Sequence, residues 1–454
     1  MSLSVVILAA GNGKRMQTKH PKVLHQLAGL SFLERVIRTA SRLEAKIFVV
    51  YGHHGEQVRS YLESAPVKWV YQKERLGTGH AVLQALPEIP DDDQVLVLVG
   101  DSPLVSLETI QNLLNEVDEN GVGLVITKIA DPTGFGRVIR DQTGRVFSIV
   151  EDKDATPEQK KIQDINSGII TAPAKKLKAW LPKLKTNNKQ SEYYLPDIIA
   201  LAVSEGFQVK SVVAQSSEEV LGINDRVQQS KLERYYQADI AHALMLQGVT
   251  IIDPTRIDIR GDVNISQDVT IDVNVILEGR VSIGCDSVIG AGCIIKDSSI
   301  GENVTILPYS VIEGAEIQSN CSVGPFARIR PKTILNEHAK VGNFVEMKNT
   351  VLGAESKANH LSYLGDATIG NRVNIGAGTI TCNYDGVHKH ATVIKDGVFI
   401  GSDTQLVAPV TIGENAFIGA GSTITENAPA NELTLCRAKQ ITIQGWQRPT
   451  DQDE

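Results

Sequence analysis

The chain has 454 residues, enough for two or three domains with cores of their own, and carries a net charge of −8 with only 5% aromatic residues. That balance argues against general nucleic-acid binding, which needs a basic face with stacking rings, and leaves anionic substrates only through local positive groups. No apolar run reaches the roughly 18 residues of a membrane span, and the start "MSLSVVIL" shows neither a charged leader nor a small-residue cleavage site. The five cysteines (Cys285, Cys293, Cys321, Cys382, Cys436) form no CxxC pair, so they read as reduced thiols of a cytoplasmic protein.

Residues 1–226 alternate strand-like and helix-like stretches. The apolar runs "VVILAAG", "IFVVYG", "QVLVLVGD" and "GLVIT" each end at turn residues, with amphipathic segments such as "FLERVIRTASRLEA" and "SLETIQNLLNEVDENG" between them. This rhythm predicts an α/β, Rossmann-like domain with a mostly parallel sheet, whose ligands bind beyond the carboxyl ends of its strands. Residues 227–247 hold no proline and no internal glycine and read as one helical linker.

From residue 248 to 454 the grammar changes. Ile259, Ile265, Ile271, Leu277, Ile283, Ile289 and Ile295 recur every six residues; the pattern slips by one and resumes at Ile300, Ile306 and Ile312, then at Ile317, Val323, Ile329, Leu335 and Val341. It returns at Ile369 and Ile375, and again from Ile400 through Leu406, Ile412, Ile418 and Ile424. A six-residue period is the signature of a parallel β-helix. Each hexapeptide makes one side of a triangular coil, its aliphatic residue points inward, and coils stack about 4.8 Å apart.

"LAAGNGKRM" directly follows a strand. Gly11 and Gly13 allow a sharp turn and close backbone approach, so that N–H groups can face phosphate oxygens, and Arg15 adds a charge. It is neither a P-loop nor a GxGxxG fingerprint, and the glycines alone leave a structural turn equally open. Asp101 ends the apolar run "VLVLVGD", where an unpaired carboxylate is costly. It suits a hard cation such as Mg²⁺, or else the cap of a following loop or helix.

"LAAGNGKRMQTKHPKVL" resembles the signature of sugar-nucleotide pyrophosphorylases. "QKERLGTGHA", "GDSPL", "GFGRV", "VEDKDA" and "NSGI" follow in the order of its uridylyltransferase branch. The resemblance implies a UTP and UDP-sugar site from Leu8, Ala9, Ala10, Gly11, Gly13, Lys22, Val99 and Gly100. Gln72, Gly77 and Thr78 would lie at the uracil, and Gly136, Glu151 and Asn166 at the amino-sugar. Asp101 and Asn224 would bind Mg²⁺, and Arg15 and Lys22 would cover the departing pyrophosphate. A sugar-1-phosphate oxygen attacking the α-phosphorus is already anionic, so positioning and charge neutralisation carry this chemistry without a general base. Ser102, Phe135 and Ser167 stand where close relatives often have valine, tyrosine and threonine, beside contact positions.

In the second half, "ARIRPKTIL", "VGNFVEMKN", "KANHLSYLGD" and "TITCNYDGVHKHATVIKDG" break the six-residue rhythm and predict loops on a binding face. They resemble the acetyltransferase domain of the bifunctional N-acetylglucosamine-1-phosphate uridylyltransferase/glucosamine-1-phosphate N-acetyltransferases, and the resemblance then covers nearly the whole chain. It implies a left-handed coil, usually trimeric, with His360 as general base and Glu346 assisting it. Arg330, Lys348, Tyr363 and Asn374 would hold the acceptor sugar. Ala377, Asn383, Tyr384, Ser402, Ala420 and Arg437 would line an acetyl-CoA cleft. "NHLSY" departs from the more familiar "GHLTY" at Asn359 and Ser362. His338, His388 and His390 read as structural.

The implied protein acetylates glucosamine-1-phosphate from acetyl-CoA, then joins N-acetylglucosamine-1-phosphate to UMP from UTP. Its partners are small molecules, with no nucleic acid and no membrane, and it assembles as a homotrimer. A nucleotidyltransferase with the β-helix as a trimerisation or regulatory module is the alternative, opposed by His360–Tyr363 and Asn383–Tyr384. A sugar-nucleotide-binding scaffold is opposed by Asp101 and Asn224. The tail "GWQRPTDQDE" is polar, reads as frayed and receives no role.

Overall fold

The computed structural model describes residues 2–11, 13–52, 55–118 and 121–448; residues 449–454 of the polar tail, and the fraying expected of them, lie outside the described residues. The chain forms two compact units, residues 1–236 and 237–454, and the division falls within the single helix Arg226–Leu246.

The first unit is built on a mixed sheet. In chain order its strands are β1 (Leu3–Ala9), β2 (Ala45–Tyr51), β3 (Lys68–Tyr71), β4 (Gln94–Val99), β5 (Val122–Lys128), β6 (Arg137–Arg140), β7 (Val146–Val150), β8 (Asp164–Pro173) and β9 (Val209–Val213). Across the sheet the order is β9-β5-β8-β4-β1-β2-β3, with β6 and β7 as a hairpin beside β8. β4, β1, β2 and β3 run parallel, whereas β8 lies antiparallel to both β4 and β5. Alternate residues feed two cores. Val6, Val95 and Val97 join the cluster on one face, and Val5, Ile7, Leu96 and Leu98 join the other. A strand buried on both faces reads as an unbroken apolar run, which is the pattern seen in the sequence. The runs must stop where the backbone emerges, so "AAG" and "GD" end β1 and β4 side by side.

The second unit is a parallel β-helix. Its ladders form one 11-stranded sheet and one 17-stranded sheet among the described residues. The register follows one interior column through successive coils: Ile271 pairs with Ile289, Ile289 with Ile306, Ile306 with Val323, Val323 with Val341, and Val341 with Ala358. Left-handed corners fall repeatedly on Asp268, Asn274, Asp286, Asn303 and Asn320, residue types that tolerate positive φ.

The expected interruptions are corrected in one respect. "ARIRPKTIL", "VGNFVEMKN" and "KANHLSYLGD" stay in the coil as ladder strands, with Met347 paired to Leu364 and Ala358 to Ile375. The inward positions there are Met347, Leu352, Ala358 and Leu364, all buried, so the aliphatic period continues with a wider choice of residue. Only the fourth stretch is an insertion. Ile375 pairs with Ile400, a step of 25 residues where neighbouring coils take 17 or 18, and the surplus forms a small hairpin closed by a Tyr384–Lys389 bridge.

Among the described residues no helix is long and apolar enough to cross a membrane.

Candidate functional site

In the first unit the loop after β1 meets the loop after β4. Gly13 has φ +56°, and a Cβ there would stand 2.6 Å from Lys22 Cβ. Nothing among the described residues lies within 4 Å of a Cβ at Gly11. Of the two glycines, Gly13 is therefore the one the backbone demands, because its bare face admits the buried Lys22 side chain. Lys22 contacts Asp101 Oδ2, and its Nζ donates to Asn224 Oδ1 at 2.7 Å. A cation held between a carboxylate and an amide oxygen tests the donor set directly: the pair suits a hard cation that keeps waters and takes further oxygens from phosphates.

Asp101 is positioned by its own backbone, since its carbonyl accepts from Ile223 N at 2.9 Å, and a Cβ at Gly222 would lie 3.3 Å from Oδ1. Thus Asn224, remote in sequence, reaches Lys22 through the Gly222–Ile223 segment.

These groups open on a continuous cleft. One lobe of about 370 Å³ is lined by Leu8, Ala9, Ala10, Gly11, Gly13, Lys22, Gln72, Gly77, Thr78, Val99 and Asp101. A second, about 740 Å³, adds Arg15, Glu151 and Asn224, and a third, about 190 Å³, adds Gly136 and Asn166. Gly100 backs the cleft, where a Cβ would come within 3.0 Å of Leu8 O. Gly136 also faces Glu151, whose Oε1 would stand 3.2 Å from an added Cβ. Burial, then the charges of Asp197, Asp154, Asp152 and Glu192, push the Glu151 carboxyl above its ordinary value.

In the second unit the ladder explains which residues share a line. Asn343 pairs with His360 across adjacent coils, and Asn343 Oδ1 lies 3.0 Å from His360 Nδ1. With the amide oxygen facing it, Nδ1 is the ring's donor, and in the neutral imidazole the Nε2 lone pair is then free. Since Ala358 pairs with Ile375, Ile375 with Ile400, and Ile400 with Ile418, the residues two places on continue one column: His360, Ala377, Ser402, Ala420. Backbone bonds from Asp403 N to Ala377 O (2.7 Å) and from Gly421 N to Ser402 O (2.8 Å) carry the stack onward, with Arg437 over Gly421.

Arg330 and Lys348 form a neighbouring column, because Ile329 pairs with Met347. Glu346 accepts from Arg330 Nη1 at 2.7 Å, whereas the His360 ring bonds Asn343. Tyr363 stands on the Glu346 ladder, its ring over Gly365, and Asn374 pairs with Lys357. Asn383 Nδ2 donates to Asp366 Oδ2 at 2.5 Å, and Tyr384 is exposed on the hairpin.

Lys389 and Asn343 escaped the sequence reading. Contact with Lys389 and its charge, with Arg330 adding to them, push Lys348 below the usual lysine value. Burial alone would raise the Asp366 carboxyl, but bonds from Asn349 and Asn383 and the charges of Lys389 and Lys348 hold it below its ordinary value. Neither signal exists in one dimension: Lys389 sits on the insertion, and Asn343 lies a whole coil from His360.

A nucleotide-transferase α/β unit followed by a left-handed β-helix of hexapeptides, each with a polar site of its own, defines a two-domain transferase. The chain matches the family described as MobA-like NTP transferase domain over residues 5–153, GMPPB C-terminal domain over 259–352, and bacterial transferase hexapeptide (six repeats) over 391–426. It is 54% identical over 451 residues to the bifunctional protein GlmU of Methylococcus capsulatus, covering 99% of this chain and 98% of the relative. It is 52% identical over 448 residues to the bifunctional protein GlmU of Marinobacter nauticus, covering 98% and 99%. The chain belongs to the bifunctional GlmU family: it is an acetyltransferase and uridylyltransferase of UDP-N-acetylglucosamine synthesis.

Proposed function

We propose that the two reactions are divided between the units, with the cleft of residues 1–226 transferring uridylyl and the β-helix of residues 248–454 transferring acetyl. The observation that carries this reading is the column Asn343–His360–Ala377–Ser402–Ala420, which sets one oriented base at the head of a strip of small side chains. Acetyl-CoA lies along that strip, flanked by Asn383, Tyr384 and Arg437, with its thioester toward His360. Arg330, Lys348 and Lys389 take the phosphate of glucosamine-1-phosphate, and Tyr363 and Asn374 its sugar. His360 Nε2 accepts a proton as the amine nitrogen bonds to the thioester carbonyl carbon; the C–S bond then breaks and CoA leaves as the thiol after proton return. Glu346 acts by holding Arg330.

In the first unit Gln72, Gly77 and Thr78 bind the uracil end, and Gly136, Glu151 and Asn166 the N-acetylglucosamine. The backbone of Leu8, Ala9, Ala10, Gly11 and Gly13, with Arg15 and Lys22, faces the phosphates; Val99 and Gly100 shape the floor. Asp101 and Asn224 hold Mg²⁺, which neutralises phosphate charge when bound. Lys22 turns from the two oxygens toward the phosphates when nucleotide enters. The enzyme is cytoplasmic and homotrimeric. The support for assembly is a ridge of exposed rings, Tyr309, Phe326 and Phe344, stacked with centroids 5.3 and 5.5 Å apart, an apolar strip that other copies would cover.

The test is to supply glucosamine-1-phosphate, acetyl-CoA, UTP and Mg²⁺ and follow CoA and pyrophosphate separately. His360→Ala should abolish CoA release and spare pyrophosphate release from supplied N-acetylglucosamine-1-phosphate, and Asp101→Ala the reverse. CoA release at the wild-type rate in His360→Ala would sink the acetyltransferase assignment.

A further inference from the structure

We infer that His80 sets the base preference of the nucleotide site by dictating which end of the Gln72 side-chain amide faces the ligand. The inference rests on the reading that Gln72 meets the base.

Gln72 directly follows β3 and is only 2% exposed, yet it lines the 370 Å³ lobe of the cleft. Its Nε2 lies 3.3 Å from Gly77 O and 3.0 Å from His80 Nδ1. A primary amide has two N–H groups. The Gly77 carbonyl can only accept, so the nitrogen must face it, and the Nδ1 lone pair takes the second hydrogen. Both donors are then used, and among the described residues nothing bonds Gln72 Oε1. What remains for a ligand is one carbonyl oxygen. Uracil presents N3–H to such an acceptor; cytosine presents a bare N3 lone pair and is repelled. Turning the amide over would set Oε1 against both Gly77 O and Nδ1, two lone-pair contacts in a buried place.

The two acceptors are themselves held. Gly77 has φ +110° and caps the helix Thr78–Ala85, while Gly79 N donates to Tyr193 O at 2.8 Å and Tyr193 N to Leu76 O at 2.7 Å. A Cβ at Gly77 would come within 2.6 Å of Tyr193 O. His80 stands in the first turn of that helix, with the side-chain amide of Gln84 one turn later, 3.2 Å from Nε2. If Nδ1 accepts, Nε2 carries the ring proton and needs an acceptor. Gln84 Nε2 also lies 3.3 Å from the His80 carbonyl oxygen; when Nδ1 accepts, the Gln84 amide turns its oxygen to Nε2–H and gives up that weaker bond, the oxygen and nitrogen of an amide being interchangeable in shape. The polarity then runs from Gln84 Oε1 through the ring to Gln72, at the expense of the bond from Gln84 to the His80 carbonyl, and its last member is the carbonyl offered to the base. His80 does not line the cleft, so it acts as a positioning residue through Gln72.

The experiment measures kcat/KM for UTP and CTP, by pyrophosphate release, in wild type, His80→Leu, His80→Asn and Gln72→Leu. His80→Leu should lower the UTP:CTP ratio roughly 10- to 100-fold, the scale of one unmade buried hydrogen bond. His80→Asn, whose side-chain oxygen can replace Nδ1 as acceptor, should restore most of it. In wild type, ¹⁵N spectra should show His80 protonated on Nε2 and bare on Nδ1. A ratio that moves in Gln72→Leu but not in His80→Leu overturns the role of His80 and leaves the Gln72 reading intact. A ratio unmoved in both overturns the Gln72 reading as well. A wild-type His80 protonated on Nδ1 overturns the inference without any variant.

Discussion

Lys22→Met should change metal and nucleotide binding in opposite directions. The Lys22 ammonium lies against Asp101 and Asn224, with side-chain exposures of 9% for Lys22 and 27% for Asp101. Two unit charges about 4 Å apart attract by roughly 4 kcal/mol at an effective dielectric constant near 20. Solvent on the Asp101 side and the cost of desolvating both groups reduce the net worth to about 1–2 kcal/mol. A divalent ion entering between the two oxygens must displace the ammonium and lose that amount. Replacing Lys22 by methionine removes the competitor while keeping an unbranched side chain of similar length under Gly13. Mn²⁺ alone should therefore bind the nucleotide-free variant about 5- to 30-fold more tightly than wild type, and the gain should shrink as salt rises. UTP should bind more weakly, because a cation facing its phosphates is gone. Titration of free Mn²⁺ by its paramagnetic resonance signal, with calorimetry for UTP, reads both quantities. Mn²⁺ affinity in Lys22→Met equal to or below wild type would refute the idea that Lys22 holds the metal's place.

Asn343→Ala removes the acceptor that orients His360 and should lower kcat for CoA release roughly 10-fold with little change in KM for either substrate, as steady-state kinetics will show. Glu151→Gln should raise the melting temperature at neutral pH. Burial and four neighbouring carboxylates raise the folded-state value of Glu151, so its ionised form costs stability above the unfolded value, and the gain should vanish as melting is repeated toward about pH 4. The same variant should weaken binding of N-acetylglucosamine-1-phosphate. Phe344→Lys places a charge at the end of the aromatic ridge and should shift sedimentation from the proposed trimer toward smaller species; an unchanged sedimentation coefficient counts against that surface as the interface.

The strands of the first unit were legible because burial on both faces leaves no polar position in β1 or β4 from Val5 to Ile7 or Val95 to Leu98. The coil was legible because one inward aliphatic residue per side repeats whatever its neighbours do. Its middle reads as loops in the sequence, since the interior slot also accepts Met347, Leu352, Ala358 and Leu364, and those choices hide the period. The true insertion was correctly placed, because seven or eight extra residues cannot be absorbed by a coil of 17 or 18.

Local chemistry could thus be read from the chain alone: which segments are buried, where glycine frees the backbone, and which short motifs bear charge. Pairings could not. That Gly13 makes room for Lys22, that Asn224 shares Lys22 with Asp101, and that Gln72 and His80 meet end to end depends on side chains brought together by separate loops. The same holds for Asn343 and His360, which are 17 residues apart and adjacent only because coils stack in register. Hydrophobic periodicity acts on each segment independently and so survives in one dimension. Hydrogen-bond polarity and charge pairing act between segments, so they exist only once the tertiary structure has set those segments against each other.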